Sequence, residues 1–324
     1  MAAFPNDVES TAADYSAVSL LFSAVHTAME SGETHVVEDA FLPHTQAAIS
    51  QLGSASGANG VASLLQHMAF PGKLVRYRIV NPYIAIDNDR ASQSAYLLGT
   101  VGTEATNGGI DAFLFGGHYV ATYQQTAAGW RIADLRFQLD WNHGDRRHVS
   151  GWTLDKGPGR TNPSPVIVSE LDAPWRATRQ PQPGKTEAQL VAEVCIRYAW
   201  GLDQADFSLL ATAFTDNAVA EMVPFGPMSG RREIVGRLKD LRNGQPYMQH
   251  AASDFVVNVR GDRATMQIHR IVPFMPTMET LDAPIFGARY EGRLRLEDGV
   301  WKFEWLQYFP GWISLAEAGE GDRR

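Results

Sequence analysis

The stretch FGGHY at residues 115–119 returns as FGARY at residues 286–290, 171 positions further along the chain. Four other landmarks return in the same order after 171 or 173 positions: Ala40-Phe41 as Ala213-Phe214, Asn88–Ala91 as Gly261–Ala264, Trp130 as Trp301, and Trp141 as Trp312. Landmarks that keep one order and a nearly constant spacing indicate an internal repeat. The chain is therefore expected to contain two copies of one module.

Length and composition agree with two ordinary globular domains. The chain has 324 residues, of which 44% are hydrophobic and 20% charged, and its net charge is −8. Without a concentrated basic face, neither nucleic acid nor an anionic membrane surface is an expected partner. The single cysteine, Cys195, excludes an intramolecular disulfide and a cysteine-built zinc site.

The expected location is the cytoplasm. The single cysteine fits a reducing compartment. Residues 1–19 lack the basic region of a secretory signal. No stretch approaches 18 uninterrupted apolar residues, so no membrane-spanning helix is expected.

Proline density predicts the boundary between the copies. Six prolines fall within residues 151–185, and proline fixes φ and removes backbone donors, so this segment is predicted to be a linker. The expected organisation is a first domain over 1–150, the linker over 151–185, a second domain over 186–318, and a tail over 319–324.

Each copy begins with helices and continues with strands. In the second copy, Thr186 and Gln189 match a capping box. Apolar residues then recur at every fourth position, as in a helix with one buried face. Alternating residues flank the Gly261-Asp262 turn and continue through Trp301, Phe303 and Trp305, which predicts strands. Helices followed by an antiparallel sheet predict the α+β class.

This order of elements resembles SnoaL-like domains of the nuclear transport factor two superfamily. The residues that carry the resemblance are Tyr198, Asp203, Phe214, His250, 261–264, 286–290 and Trp301 in the second copy, and Phe41, 88–91, 115–119, 129–130 and 140–141 in the first. The resemblance implies tandem cone-shaped α+β barrels, each a curved antiparallel sheet packed around helices with an apolar pocket. It also implies chemistry without a metal or cofactor. Other members are only scaffolds or binding modules, so the fold does not name a reaction.

The resemblance also implies a catalytic group of Tyr198, Asp203 and His250. A histidine can take a proton near neutral pH, an aspartate can orient it, and a phenol can donate a hydrogen bond to a leaving oxygen. Tyr198 and Asp203 converge only if their helix ends before Asp203, because five helical residues separate side chains by about 140°. Alternatively, Tyr198 belongs to the core, Asp203 caps the next helix, and His250 is an ordinary strand residue.

The first copy departs from this pattern. Val25, Glu30 and Tyr77 stand where Tyr198, Asp203 and His250 stand in the second copy. The first copy is either a degenerate partner that supports the second copy or a site for a different reaction. Further substrate-binding candidates lie in predicted strands of both copies: Arg78, His118, Tyr119, His269, Tyr290 and Trp305. Alternate strand residues face opposite sides of a sheet, so about half of them are expected to face solvent.

No metal site is expected. His143, Asp145 and His148 lie close in sequence, but Arg146 and Arg147 beside them would repel a cation.

The predicted function is that of a cofactor-independent lyase. Its substrate would be a small apolar, aromatic, hydroxylated compound, such as a lignin-derived diarylpropane. The alternatives are an isomerase of the ketosteroid type, a polyketide cyclase, and a non-catalytic binding or assembly module. A small molecule is the expected partner, with intrachain pairing of the two domains and self-association into a homo-oligomer left open.

Overall fold

A computed structural model describes residues 5–106, 108–154, 165–178, 184–244, 248–272 and 286–313. These residues form two compact units, and the division falls between Lys185 and Thr186. Both units are of the α+β class, as predicted. The tail over 319–324 and parts of the proline-rich stretch lie outside the described residues.

Unit 1 opens with a long helix and ends with two helical turns from the proline-rich stretch. Its helices and strands are α1 (Pro5–Ser31), β1 (Phe41–Ile49), β2 (Gly53–Ser56), α2 (Ala58–Leu65), β3 (Leu74–Asp87), β4 (Arg90–Glu104), β5 (Ile110–Thr126), β6 (Gly129–Gly144), α3 (Ser169–Asp172) and α4 (Pro174–Ala177). Short 3₁₀ helices cover Thr34–Ala40, Gln66–Met68 and Arg146–Val149.

Unit 2 repeats this order of elements. It contains α5 (Glu187–Asp203), α6 (Phe207–Ala211), β7 (Phe214–Met222), β8 (Gly226–Ser229), α7 (Arg231–Gly244), β9 (Ala251–Arg260), β10 (Arg263–Val272), β11 (Phe286–Glu297) and β12 (Val300–Ile313). The predicted turn at 261–262 joins β9 to β10, and the corresponding residues 88–89 join β3 to β4; Gly261 and Asn88 adopt positive φ angles of 60° and 55°.

Each sheet is mixed and open, not a closed antiparallel barrel. The strand orders are β2-β1-β6-β5-β4-β3 and β8-β7-β12-β11-β10-β9. The first strand of each unit pairs in parallel with the last one, β1 with β6 and β7 with β12. The other neighbours are antiparallel, as hairpin-connected strands must be.

The first helix of each unit is fixed to the last strand by the same contact. The indole nitrogen of Trp130 donates to Asp14 Oδ1 at 2.8 Å, and that of Trp301 donates to Glu187 Oε2 at 2.8 Å. Helix α5 begins with the predicted capping box, since Thr186 and Gln189 each satisfy the other's backbone N–H. The buried face of α5, which includes Tyr198, packs in the hydrophobic core of unit 2.

The described part of the proline-rich stretch packs on unit 1. Trp175 stacks on Tyr83 with ring centroids 4.1 Å apart. Asp172 forms an ion pair with Arg136 at 2.9 Å, and Lys185 Nζ donates to the Ile84 carbonyl at 2.6 Å. Trp152 also belongs to the core of unit 1. The folded part of the first half therefore extends past residue 150, because the apolar residues of the stretch cover the sheet.

Candidate functional site

Unit 2 encloses a cavity of about 180 Å³ between its helices and the inner face of its sheet. The cavity is lined by Tyr198, Leu202, Met222, Val223, Pro224, Phe225, Leu238, Leu241, Met248, His250, Arg270, Val272, Tyr290 and Tyr308. Most of these side chains are apolar, and the polar ones come from α5, β10, β11, β12 and the residue immediately before β9. A few convergent polar groups in an apolar pocket are typical of small-molecule sites.

Asp203 and His250 form a buried pair at this cavity. The Asp203 side chain is fully buried, and Oδ1 lies 2.6 Å from His250 Nδ1. Its other oxygen, Oδ2, accepts the backbone N–H of His250 at 2.7 Å. Because a carboxylate accepts hydrogen bonds, Nδ1 carries the proton and the ring lone pair is on Nε2. Asp203 thus fixes both the tautomer and the orientation of His250.

Burial lowers the pKa of His250, although Asp203 opposes this shift. Arg270 and Arg242 lower the pKa further through their positive charge. The imidazole is therefore neutral at neutral pH, which is the form that can accept a proton.

Tyr198 completes the predicted group. Its ring lies 6.2 Å from the His250 ring and 6.1 Å from the Tyr290 ring. Burial, followed by the neighbouring Tyr290 hydroxyl, raises the pKa of Tyr198 well above its usual value. The phenol therefore stays protonated and can act as a hydrogen-bond donor.

The structure brings the three side chains together in an unexpected way. Helix α5 does not end before Asp203 but runs through it as its last residue. The pair forms because His250, immediately before β9, lies against the helix end. The alternative cap role is taken by Asp206, whose Oδ1 accepts the Leu209 N–H of α6 at 2.9 Å.

Sequence reasoning missed Arg270, which also lines the cavity. Its Nε donates to the Tyr290 hydroxyl at 3.3 Å, and its guanidinium lies 5.3 Å from the ring centroids of Tyr290 and Tyr308. Arg270 follows Met266 and Ile268 on the core-facing side of β10. Its counterpart in the first copy is Leu97. The signal available in the sequence was therefore a charged residue at a position where the alternation, and the other copy, have an apolar one.

Two substrate-binding candidates of unit 2 do not reach the cavity. His269 is exposed on the other face of β10, because neighbouring strand residues point to opposite faces. Trp305 lies under the Arg293 guanidinium, 4.5 Å away, in an open groove lined also by Arg295 and Glu304. Tyr290 is the one candidate of this group that lines the cavity.

The matching interior of unit 1 is occupied by aromatic side chains. Phe115 contacts Trp152 with ring centroids 4.9 Å apart, and Tyr77 at 5.9 Å. Tyr77 takes the place of His250, and its hydroxyl donates to the Met68 carbonyl. Glu30 accepts the Tyr77 backbone N–H, as Asp203 accepts that of His250. The backbone contact is thus kept while the imidazole is lost.

The other candidates of unit 1 are dispersed. Arg78 is exposed, and Tyr119 is buried in the core against His26. His118 Nδ1 pairs with Asp140 Oδ2 at 2.8 Å on the opposite face of β5 from Tyr119. No described residue of this group reproduces the geometry of Tyr198 and His250.

Asp111, Asp145 and His148 have potential ligand atoms within 4.8 Å of one another. The Arg147 guanidinium forms ion pairs with both carboxylates. The positive charge of Arg147 already compensates this acidic charge, so the absence of a metal stays the prediction.

A family model described as SnoaL-like domain matches residues 10–136 and 187–306. These two segments coincide with the two units. No curated protein matches the chain. Within the described residues, no helix combines the length and the apolar character needed to cross a membrane.

Three solved structures show the kinds of protein to which this chain is similar. A protein assigned as a scytalone dehydratase from Novosphingobium aromaticivorans is 17% identical, over 40% of this chain and 86% of that one, with a TM-score of 0.37. A hexachlorocyclohexane dehydrochlorinase from Novosphingobium barchaimii is 16% identical, over 40% and 90%, with a TM-score of 0.37. A Nostoc punctiforme protein with a cystatin-like fold is 18% identical, over 38% and 90%, with a TM-score of 0.34.

Proposed function

Because this chain belongs to the SnoaL-like domain family, we propose that its second unit is a cofactor-independent lyase. The substrate is a small, largely apolar, hydroxylated aromatic compound that loses water or undergoes a related C–O or C–C elimination. The observation that carries this proposal is the Asp203–His250 pair in the wall of a mainly apolar cavity.

The reaction needs a base, a hydrogen-bond donor and a dry site. His250 takes a proton from the carbon next to the one that bears the hydroxyl. The electrons of that C–H bond form the new C=C bond and the C–O bond breaks, while Tyr198 donates a hydrogen bond to the departing oxygen. The imidazolium then returns its proton to the departing hydroxide, so water leaves and His250 becomes neutral again.

Asp203 supports both stages of this reaction. Its carboxylate holds the imidazole in the tautomer that accepts the proton and then stabilises the imidazolium. Exclusion of water from the cavity strengthens each of these interactions.

The size of the cavity limits the reacting part of the substrate. A cavity of roughly 150 Å³ holds a molecule of benzene, so the volume of about 180 Å³ here accommodates one aromatic ring. A diarylpropane would place one ring beside His250 and extend its second ring beyond this volume.

The test is a screen of hydroxylated aromatic compounds with product detection by mass spectrometry. His250→Ala is expected to lower the rate by about 10²- to 10⁴-fold, the usual contribution of a general base. His44→Gln, which changes an exposed histidine of unit 1, is the matched control and should keep full activity.

Two outcomes would replace the lyase proposal. A product of unchanged mass would indicate an isomerase, which moves a proton without releasing a fragment. Undiminished turnover by His250→Ala would remove the imidazole from the mechanism.

A further inference from the structure

Arg270 introduces a permanent positive charge into a cavity that otherwise suits an apolar molecule. The described lining residues include no aspartate or glutamate, and His250 is the only other ionisable group among them apart from tyrosines. The guanidinium keeps its charge at any relevant pH. One wall of the cavity is therefore cationic with no carboxylate facing it among the described lining residues.

The tyrosines around Arg270 satisfy it only in part. Nε uses the Tyr290 hydroxyl, and the rings of Tyr290 and Tyr308 provide cation–π contacts. The Nη1 atom is fully buried and has no hydrogen-bond partner among the residues that the structure describes. A buried donor on a charged group without an acceptor is costly, and native structures rarely retain one without a reason.

The repeat shows that the fold does not need this charge. Leu97, the counterpart of Arg270, is fully buried in the core of unit 1, and Phe137, the counterpart of Tyr308, packs on Tyr119 with ring centroids 4.6 Å apart. The same backbone positions thus form a stable apolar cluster in one unit and a charged cluster at a cavity in the other.

From this contrast we infer that the second unit binds a carboxylate-bearing ligand, with Arg270 as the charge partner and the apolar wall holding its hydrocarbon body. The inference rests on the proposed function and narrows its substrate class to small aromatic acids. The carboxylate supplies an acceptor for Nη1, which has none among the described residues, since guanidinium and carboxylate form strong charge-assisted hydrogen bonds. Leu202, Phe225 and Leu238 line the apolar part of the cavity, where the ring lies.

The polar groups then divide between two tasks. Arg270 holds the acid group and sets the position of the ring. His250 and Tyr198 face the part of the molecule that reacts. Arg270 is accordingly a specificity-determining residue in this scheme.

The test measures equilibrium binding of unreactive probes to the full chain, by calorimetry at fixed ionic strength. Benzoate carries the carboxylate, and benzyl alcohol is a neutral compound of similar size. Benzoate is expected to bind at least about 10-fold more tightly than benzyl alcohol. Arg270→Leu should weaken benzoate binding by about 10- to 100-fold, the value of a hydrogen bond to a charged group, and leave benzyl alcohol unaffected.

Two further variants keep the test independent of folding. Arg270→Lys retains the charge and should retain part of the preference for benzoate. Arg260→Leu, which removes an exposed arginine at the end of β9, should change neither affinity. Without ligand, Arg270→Leu should melt at the same temperature as the parent or higher, because leucine is accommodated at the corresponding position of unit 1.

Equal affinity for benzoate and benzyl alcohol in the parent would overturn the inference. So would undiminished benzoate binding by Arg270→Leu. A large drop in the melting temperature of Arg270→Leu, with benzoate affinity retained in the folded fraction, would make Arg270 a structural residue. Because these probes do not react, absence of lyase activity would leave the binding result intact, so the two proposals fail separately.

Discussion

His26 of unit 1 should make the first half of the chain sensitive to acid. The side chain is buried on α1, and Nδ1 lies 2.8 Å from the Phe22 carbonyl, to which it donates. The other nitrogen, Nε2, has no hydrogen-bond partner within the described part of the chain, and the ring packs edge-on against Tyr119. Burial lowers the pKa of His26 to about 4, although the Phe22 hydrogen bond opposes the shift.

The sign of the effect follows from where the proton binds. Above pH 6.5 the ring is neutral in both the folded and the unfolded chain, so His26 contributes nothing to the pH dependence. Between pH 6.5 and pH 4 the unfolded chain binds a proton at His26 that the folded chain does not bind. The free energy of unfolding therefore falls as pH falls. The loss is about 2 kcal/mol at pH 5 and about 3 kcal/mol at pH 4, and it approaches about 3.4 kcal/mol below that.

The perturbation is His26→Leu, which keeps a side chain of similar bulk and removes the titrating group. The assay is hydrogen exchange in urea, followed on peptides of β5 and β6, which reports the free energy of unfolding of unit 1 at pH 7.5 and pH 5. The decrease between these two pH values should be about 2 kcal/mol smaller in the variant than in the parent. An identical decrease in the two proteins would refute the assigned pKa.

Two packing predictions concern unit 2. In Gly201→Ala, the new Cβ would lie 2.7 Å from the Leu210 backbone nitrogen, so α5 and α6 must separate, and the free energy of unfolding should fall by about 1–3 kcal/mol in urea titration. Trp301→Phe removes the hydrogen-bond donor to Glu187 and should lower the stability of unit 2 by about 1–2 kcal/mol, measured by calorimetry. An unchanged unfolding transition in either variant would contradict the contact on which its prediction rests.

Local pattern predicted the helices and hairpins but not the pairing between distant strands. The capping box of α5 and the turn at Gly261 depend on neighbouring residues, which a sequence displays directly. The parallel pairing of β7 with β12 joins strands at opposite ends of the unit. No alternation of residues within one strand encodes that choice of partner.

A β-bulge explains why Trp305 does not face the cavity. Phe303 pairs with Leu294 and Trp305 with Arg293, so Glu304 is an extra residue on β12. The bulge reverses the alternation that Trp301 and Phe303 had established.

The resemblance to a family pointed to His250 and Asp203, and their contact in the structure is consistent with that pattern. Arg270 matched no motif, and the candidate predicted on this strand was its neighbour His269, which lies on the opposite face. Only the alignment of the two copies, which sets Arg270 against Leu97, contained the missing signal. Cavities arise from packing in three dimensions and leave little trace in a linear pattern.

The pairing of β7 with β12 also has a consequence for synthesis on the ribosome. β7 cannot pair with β12 until the chain has been synthesised as far as β12. Such nonlocal contacts slow folding. Unit 1 precedes unit 2 along the polypeptide and can finish its own sheet while the second half is still being translated. β7 can pair with β8 early, but its other edge, which β12 will occupy, meanwhile stays unpaired, so this interval is the period of greatest exposure to aggregation and chaperone capture.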